Sequence, residues 1–401
     1  MFKETFKSID KQTIQRKRKV FSNHTLYTLL FMSANNCGYQ EALLNMKIQN
    51  MIGKDVSHQA INKKILSGKF SEEFFSMNDQ IIEKFFKGKS GRRIFGVDGS
   101  KANLSCSTNK NGFRKVESNK YCQGLLTLIY DIQHQIPMAY KLTQTTNERV
   151  AFYDLVMKID NNCVRNKDLL IFDRGYFSEE MVGQVLSLNK DFIFRLPKHL
   201  KIVKALEESK TDDMLINSNG KNIRVIKYQI FSKLKIVSNP EGPKPFKMIK
   251  IMNNYYLATT LTDQVEYPVE VLKQFYHQRW SVEECYKKIK EKFHCGTFHS
   301  ILLNSVECEM AVQQLSLIIT RLFIGLVKTK DNYQINSNVS SKSIVNHVIP
   351  MLMFDKQKTS YLKNILDVFE LLEEIKVKIR PGRSTKRVKR FRTDKFLYEK
   401  T

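Results

Sequence analysis

Four polar residues late in the chain, Tyr276, Arg279, Glu283 and Lys290, are spaced as if on one side of a helix. At about 100° per residue, with Tyr276 at zero, Arg279 falls at about −60°, Glu283 at about −20° and Lys290 at about −40°. The stripe is then about 60° wide and roughly 21 Å long. A carboxylate in its middle, with a guanidinium and a phenol on one side and an ammonium on the other, suits a metal-bound phosphodiester. Glu283 would hold a cation while its neighbours grip phosphates. Geometry alone favours an ordinary solvated face in which Arg279 and Glu283 form an i,i+4 ion pair.

Two aspartates bear on the choice. Asp98 follows the apolar run Arg92–Val97, and Asp173 follows Asp168–Phe172. Carboxylates at strand ends sit on a rigid frame. With Glu283 they would form a three-carboxylate oxygen site of the kind that binds two Mg²⁺ ions about 3.5–4 Å apart. Taken singly, each Asp is also a common strand-terminating turn or helix cap.

The elements needed to position these groups can be read along the chain. The spacing predicts a single helix over Pro268–Phe293, with Val282 and Ile289 facing the core. Residues 1–88 read as a helical, DNA-binding domain with helices at Asn23–Met32, Tyr39–Met46 and Ser71–Phe86. Within it, Val56–Ile65 resembles a recognition helix capped by Ser57, with Ala60, Ile61 and Ile65 inward and Gln59, Asn62 and Lys63 outward. Residues 89–305 read as an α/β core. Strands at Arg92–Val97, Gly124–Tyr130 and Ile136–Leu142 precede a helix at Glu148–Ile159, a strand at Asp168–Phe172, a helix at Ser178–Leu188 and a strand at Asp191–Leu196. That is the order of a ribonuclease-H-like catalytic core. A β-rich insertion is expected at 198–266, from the runs Ile223–Ile230, Lys247–Met252 and Tyr255–Leu261. A C-terminal helical region spans 306–379, and 380–401 is a basic tail with eight basic residues in Arg380–Lys395.

Composition points to a polyanionic partner. The 401-residue chain carries 66 Lys and Arg against 40 Asp and Glu, a net charge of +26. Such an excess repels itself unless neutralised, most simply by nucleic acid. Seven cysteines without a C-x-x-C pair give no support to a zinc ribbon or redox motif and suit a reducing compartment. Met1–Lys19 has no apolar signal core. Ala311–Val327 is broken by Gln313, Gln314 and Arg321, so it reads as a buried helix and not a membrane span.

The run from Tyr276 to Lys290 resembles the Tyr-x2-Arg-x3-Glu-x6-Lys signature of the DDE transposases of the insertion-sequence-four family and matches it at every defined position. Val97-Asp98-Gly99-Ser100 and Phe172-Asp173-Arg174-Gly175-Tyr176 are similar to that family's first and second Asp segments, and Tyr255–Leu261 to its strand before the Glu helix. The resemblance implies that Asp98, Asp173 and Glu283 are catalytic and bind two Mg²⁺ ions, replaceable by Mn²⁺. It implies that Tyr276, Arg279 and Lys290 contact DNA phosphates, with Lys101 and Arg174 as further candidates. The implied enzyme cuts the ends of a bacterial insertion sequence and joins the 3′-hydroxyl to target DNA. Double-stranded DNA would be its partner, a homodimer its working form, and the cytoplasm and nucleoid its place. Some relatives hold a flipped base on a Trp of the β insertion. Here the sole Trp, Trp280, lies inside the signature and reads as packing. A transposase remnant that binds DNA without catalysis, and a related metal-dependent nuclease, are the competing readings. The joint presence of three carboxylates disfavours the first of them.

Overall fold

Helical periodicity at both ends of the chain and strand periodicity between them resolve into a layered α/β structure. The computed structural model describes residues 22–379 except 36, 53–55, 67–69, 117–119, 157–166, 219, 239–245, 293–297, 299–300, 328–332 and 355–360. The basic tail and Met1–Lys19 therefore lie outside the described residues.

Four helices come first: α1 (Ser22–Asn35), α2 (Tyr39–Ile48), α3 (His58–Leu66) and α4 (Phe70–Phe86). Then follow β1 (Ile94–Leu104), β2 (Arg114–Val116), β3 (Tyr121–Asp131), β4 (Ile136–Thr143), α5 (Glu148–Val156), β5 (Leu169–Phe172), α6 (Glu179–Ser187) and β6 (Asp191–Arg195). Next are α7 (Lys201–Glu208), β7 (Asp213–Ser218), β8 (Lys221–Ser238), β9 (Phe246–Thr259), α8 (Val269–Gln278), α9 (Trp280–Lys292) and α10 (Leu303–Ile324). The chain closes with β10 (Tyr333–Ile335), α11 (Ser337–Ser343), α12 (Ile349–Phe354), α13 (Tyr361–Glu374) and β11 (Lys376–Lys378). In α3 the Ala60 N–H donates to Ser57 Oγ at 3.3 Å, Ile61 and Ile65 are buried, and Gln59, Asn62 and Lys63 are exposed.

The large sheet runs β2-β3-β1-β5-β6-β9-β8-β7, with β4 also paired to β3. The β1–β5 and β5–β6 pairs are parallel and their neighbours antiparallel. Two strand boundaries differ from the expected ones. First, β1 does not stop before Asp98. It continues to Leu104 against β3, because Ala102 and Leu104 are buried there although polar residues intervene. Second, Lys247–Met252 and the run from Tyr255 belong to one long strand, β9, which ends at Thr259, short of the expected Leu261. Asn253 and Asn254, which look like a turn in sequence, sit in register opposite Ile230 and Gln229. Residues 198–266 join the core sheet through β9 on β6, and they also contain α7.

Apolar residues line both sheet faces. On one side pack α1–α6 and the C-terminal helices; on the other lie the buried faces of α8 and α9. α10 is buried almost throughout, a pattern expected of a central helix and not of a surface one. Its polar residues are satisfied across elements: Gln314 Nε2 donates to Pro137 O at 3.0 Å. Asn78 Nδ2 of α4 donates to Ala311 O at 2.8 Å and Gln314 Oε1 at 3.1 Å. Among the described residues no helix is long and apolar enough to cross a membrane.

A buried ion pair fixes the start of the parallel strands. Arg93 Nη2 lies 2.6 Å from Asp168 Oδ2, with side chains 6% and 2% exposed. Asp168→Ala leaves a buried guanidinium without its counter-charge and is expected to cost about 3–5 kcal/mol. Urea unfolding measures this, and an unchanged midpoint would contradict it.

Candidate active site

The parallel β1–β5 pair brings the two aspartates together. Val97 is in register with Phe172, so Asp98 and Asp173 follow side by side. Residues alternate across a sheet, and Ile94, Leu169 and Ile171 belong to the face that packs on α8 and α9. Asp98 and Asp173 share that face. Beyond Phe172, β5 ends and β1 runs on alone beside β3, which opens a notch for polar groups.

Helix α9 closes over this notch because Gly96 lacks a side chain. A Cβ at Gly96 would fall inside the Val282 side chain. Val282 and Ile289 are buried, as their helical positions predict. Tyr286 is buried beside them, its hydroxyl 2.8 Å from the carbonyl oxygens of both Asp98 and Leu126, which ties α9 to the site's own strand.

The signature helix is not continuous. α8 ends at Gln278 and α9 begins at Trp280. Around Arg279 the bonding tightens to i→i−3: Arg279 N donates to Tyr276 O at 3.2 Å, and Val282 N to Arg279 O at 3.0 Å. The four stripe residues nonetheless all turn toward the aspartates. Tyr276 and Arg279 are each only 4% exposed. Tyr276 donates its hydroxyl to Asp173 Oδ1 at 3.0 Å. Arg279 Nη2 pairs with Glu283 Oε1 at 2.9 Å. The i,i+4 pair therefore exists, but on a buried face. Lys290 donates to Ser100, two residues beyond Asp98. Glu284 points away, exposed and paired with Lys287. Lys101 and Arg174 are exposed beside the notch.

The site's electrostatics are those of crowded carboxylates around one guanidinium. Burial pushes the Asp98 carboxyl up to about 7, assisted by Glu148 and Glu283 and opposed by Arg279 and the Gly99 N–H. Asp173 is also raised by burial. The Arg174 N–H, Arg279, Tyr276 and Arg195 outweigh that effect, so it stays below its ordinary value. Burial works against the charge of Arg279, yet Tyr276, Asp173, Asp98 and Glu283 together hold its pKa above the usual value. Glu148, at the first position of α5, is raised by burial and by Asp173. As placed, no three acidic, His or Cys side chains among the described residues converge closely enough to hold a metal ion. Arg279 supplies the counter-charge instead. The donor set itself is all carboxylate oxygen, the chemistry that hard divalent cations select. Gly99 and Gly175 leave open the space beside the two aspartates that side chains would fill.

Next to the site lies a cavity of about 720 Å³ between β8–β9 and α8, lined among others by Tyr228, Tyr255, Lys273, Tyr276, His277 and Trp280. Arg195 stacks over the Tyr255 ring, 4.1 Å from its centroid. Trp280 does not pack into the core as its position in the signature suggested. It lies on the side of the helix away from buried Val282 and Tyr286, and it is 51% exposed at the cavity mouth. Tyr256 faces the other side of β9 and is buried against Glu207.

A family model described as the transposase DDE domain matches residues 89–319, more than half of the chain and all of the site. A search of curated proteins found no match. Among solved structures, the piggyBac transposase synaptic complex with hairpin DNA aligns over 91% of this chain and 82% of its own, with 11% identity and a TM-score of 0.47. That score is too low to argue from.

Proposed function

Because the chain belongs to the transposase DDE-domain family and is a DDE DNA transposase, we propose that Asp98, Asp173 and Glu283 are its catalytic carboxylates and that it mobilises a bacterial insertion sequence of the insertion-sequence-four group. The observation that carries the assignment is the register of β1 and β5. It sets Asp98 beside Asp173 under the Arg279–Glu283 pair. The strand order β4-β3-β1-β5-β6 with α5 between β4 and β5 supports a ribonuclease-H-like core, to which β7–β9 are added.

The carboxylates would hold Mg²⁺, or Mn²⁺ in its place. When bound, such a metal pair supplies activation of the attacking oxygen and charge neutralisation at the leaving oxygen. Tyr276 and Arg195 orient Asp173, and the Gly99 N–H orients Asp98. Arg279 neutralises the carboxylates and, once they are otherwise neutralised, is placed to bind phosphate, with Lys290 on the same side. Lys101 and Arg174 extend that basic rim. The substrate is double-stranded DNA: element ends first, then target, attacked by the freed 3′-hydroxyl. The exposed face of α3 is the candidate for end recognition within the DNA-binding helices of 1–88, and the tail 380–401 adds sequence-independent affinity. Two ends to be bridged call for a homodimer working on the cytoplasmic nucleoid.

The test gives purified protein Mg²⁺ and DNA carrying its own flanking ends, then sizes nicked, hairpin and joined products. Asp98→Asn, Asp173→Asn and Glu283→Gln should each lower cleavage by a thousandfold or more with DNA binding retained. No cleavage by wild type under any divalent metal would sink the catalytic reading. Cutting without joining would make it a nuclease.

A further inference from the structure

A fourth carboxylate enters the site from the opposite layer of the sheet. Glu148 is the first residue of α5, which packs on the face away from α9. Its side chain lies between two glycines, Gly99 in the middle of β1 and Gly175 just after the end of β5. A Cβ at Gly99 would stand 3.0 Å from Glu148 Cγ and 3.3 Å from its Oε1, and one at Gly175 would stand 3.2 Å from Oε2. Gly99 adjoins Asp98, and Gly175 is two residues after Asp173, so the glycines that admit Glu148 belong to the two aspartate segments themselves. A side chain at either place would crowd this carboxylate and oblige it to shift.

A second, independent feature points to the same spot. Tyr176, 0% exposed, has a buried hydroxyl that makes no hydrogen bond to the protein. The charged groups nearest to it in effect are Glu148, Asp98 and Asp173. Leaving a hydroxyl buried and unpaired costs about 1–3 kcal/mol, which marks a place arranged for something other than the apo fold's own stability. Arg279 Nε is a second buried and unpaired donor at the same centre. Glu148 makes no ion pair among the described residues; what it meets is other carboxylates.

We propose that Glu148 is a fourth carboxylate of the divalent-metal site, admitted between Gly99 and Gly175 and backed by Tyr176. The inference rests on the assignment of Asp98, Asp173 and Glu283 as metal-binding. Charge makes the case quantitative. Three carboxylates against Arg279 leave a net −2, enough for one divalent ion, whereas Glu148 brings the set to −3 and favours the second. Nothing in its sequence setting sets Glu148 apart, since an acidic residue in a helix's first turn is an ordinary partner of the helix dipole.

The experiment titrates Mn²⁺ alone into EDTA-treated, dialysed full-length protein by calorimetry, without DNA, alongside melting temperatures in EDTA. Glu148→Gln should weaken total Mn²⁺ binding at least tenfold or remove one of two sites. It should also melt at or above the wild-type temperature in EDTA, because a repelling charge is gone. Glu148→Asp, one methylene shorter, should fall between the two. Mn²⁺ binding by Glu148→Gln within twofold of wild type, with binding lost in Asp98→Asn, would overturn the proposal and leave the underlying assignment intact. Binding unchanged in Glu148→Gln, Asp98→Asn and Asp173→Asn alike would overturn both. A Glu148→Gln protein that melts well below wild type in EDTA would make the residue a structural support and also overturn the proposal.

Discussion

Gly96→Ala is expected to lower the rate of DNA strand cleavage about a hundredfold or more while leaving a folded protein. The added methyl falls inside Val282, so α9 must lift off β1 or Val282 must leave its rotamer. Overpacking of this kind costs about 1–3 kcal/mol, which a domain of this size can absorb. Catalysis is less tolerant. Glu283 and Arg279 ride on the displaced segment, and a shift of about 1 Å at reacting groups can cost about a hundredfold. Gly124→Ala is the control. A Cβ there would crowd Leu142 and Phe113, at 2.7 and 2.8 Å, on β3 and away from the notch. It should lose similar stability in urea but keep cleavage within a few-fold. Equal losses of activity in both variants would show that packing in general, and not the placement of α9, is what activity responds to.

Arg279→Met has the larger effect on stability, and its size depends on pH. Arg279 is buried, and its partners are Glu283, Asp98 and Asp173. Removing one member of a buried charge set costs about 3–5 kcal/mol because the others remain uncompensated. For Asp98, whose folded pKa is raised to about 7 from an ordinary 3.8, the folded state binds more protons than the unfolded state between those values. Stability contributed by the protonated carboxyl is thus present at low pH and lost as pH rises from about 4 to about 7. Without Arg279 the loss should be steeper. The measured destabilisation should be larger at pH 8 than at pH 5, and Asp98→Asn combined with Arg279→Met should recover part of it. A destabilisation independent of pH would mean that Arg279 acts through packing and not through charge.

The residues of the candidate site were legible in the sequence because their placement rests on two simple regularities. Apolar runs followed by Asp mark strands that can carry a carboxylate on a rigid frame, and a spacing of three, four and seven residues marks one helix face. Asp98, Asp173, Tyr276, Arg279, Glu283 and Lys290 all follow from these, and the structure brings them to one notch. What escaped depends on contacts between distant segments. The break at Arg279 has no local cause, since Arg is a good helix former. It accompanies burial of a guanidinium among three carboxylates from other elements. The extension of β1 through Gly99–Leu104 depends on β3 beside it, and Asn253-Asn254 becomes strand only because β8 runs alongside. Glu148 gave no local signal. Its role is suggested only by glycines some fifty residues before it and nearly thirty after it in the chain.

The polar seam inside α10 has a consequence for heredity. Asn78 binds α10 from the N-terminal helices, while Gln314 of α10 reaches the carbonyl of Pro137 in the catalytic sheet. The proposed end-binding and cutting parts, joined this way, cannot be exchanged between elements as a cassette. A transplanted N-terminal segment lacking an Asn at the matching position would leave buried amides stranded in the recipient. Divergence in the ends that such an enzyme recognises should therefore accumulate by surface changes on a fixed frame, for instance on α3, and not by shuffling whole segments.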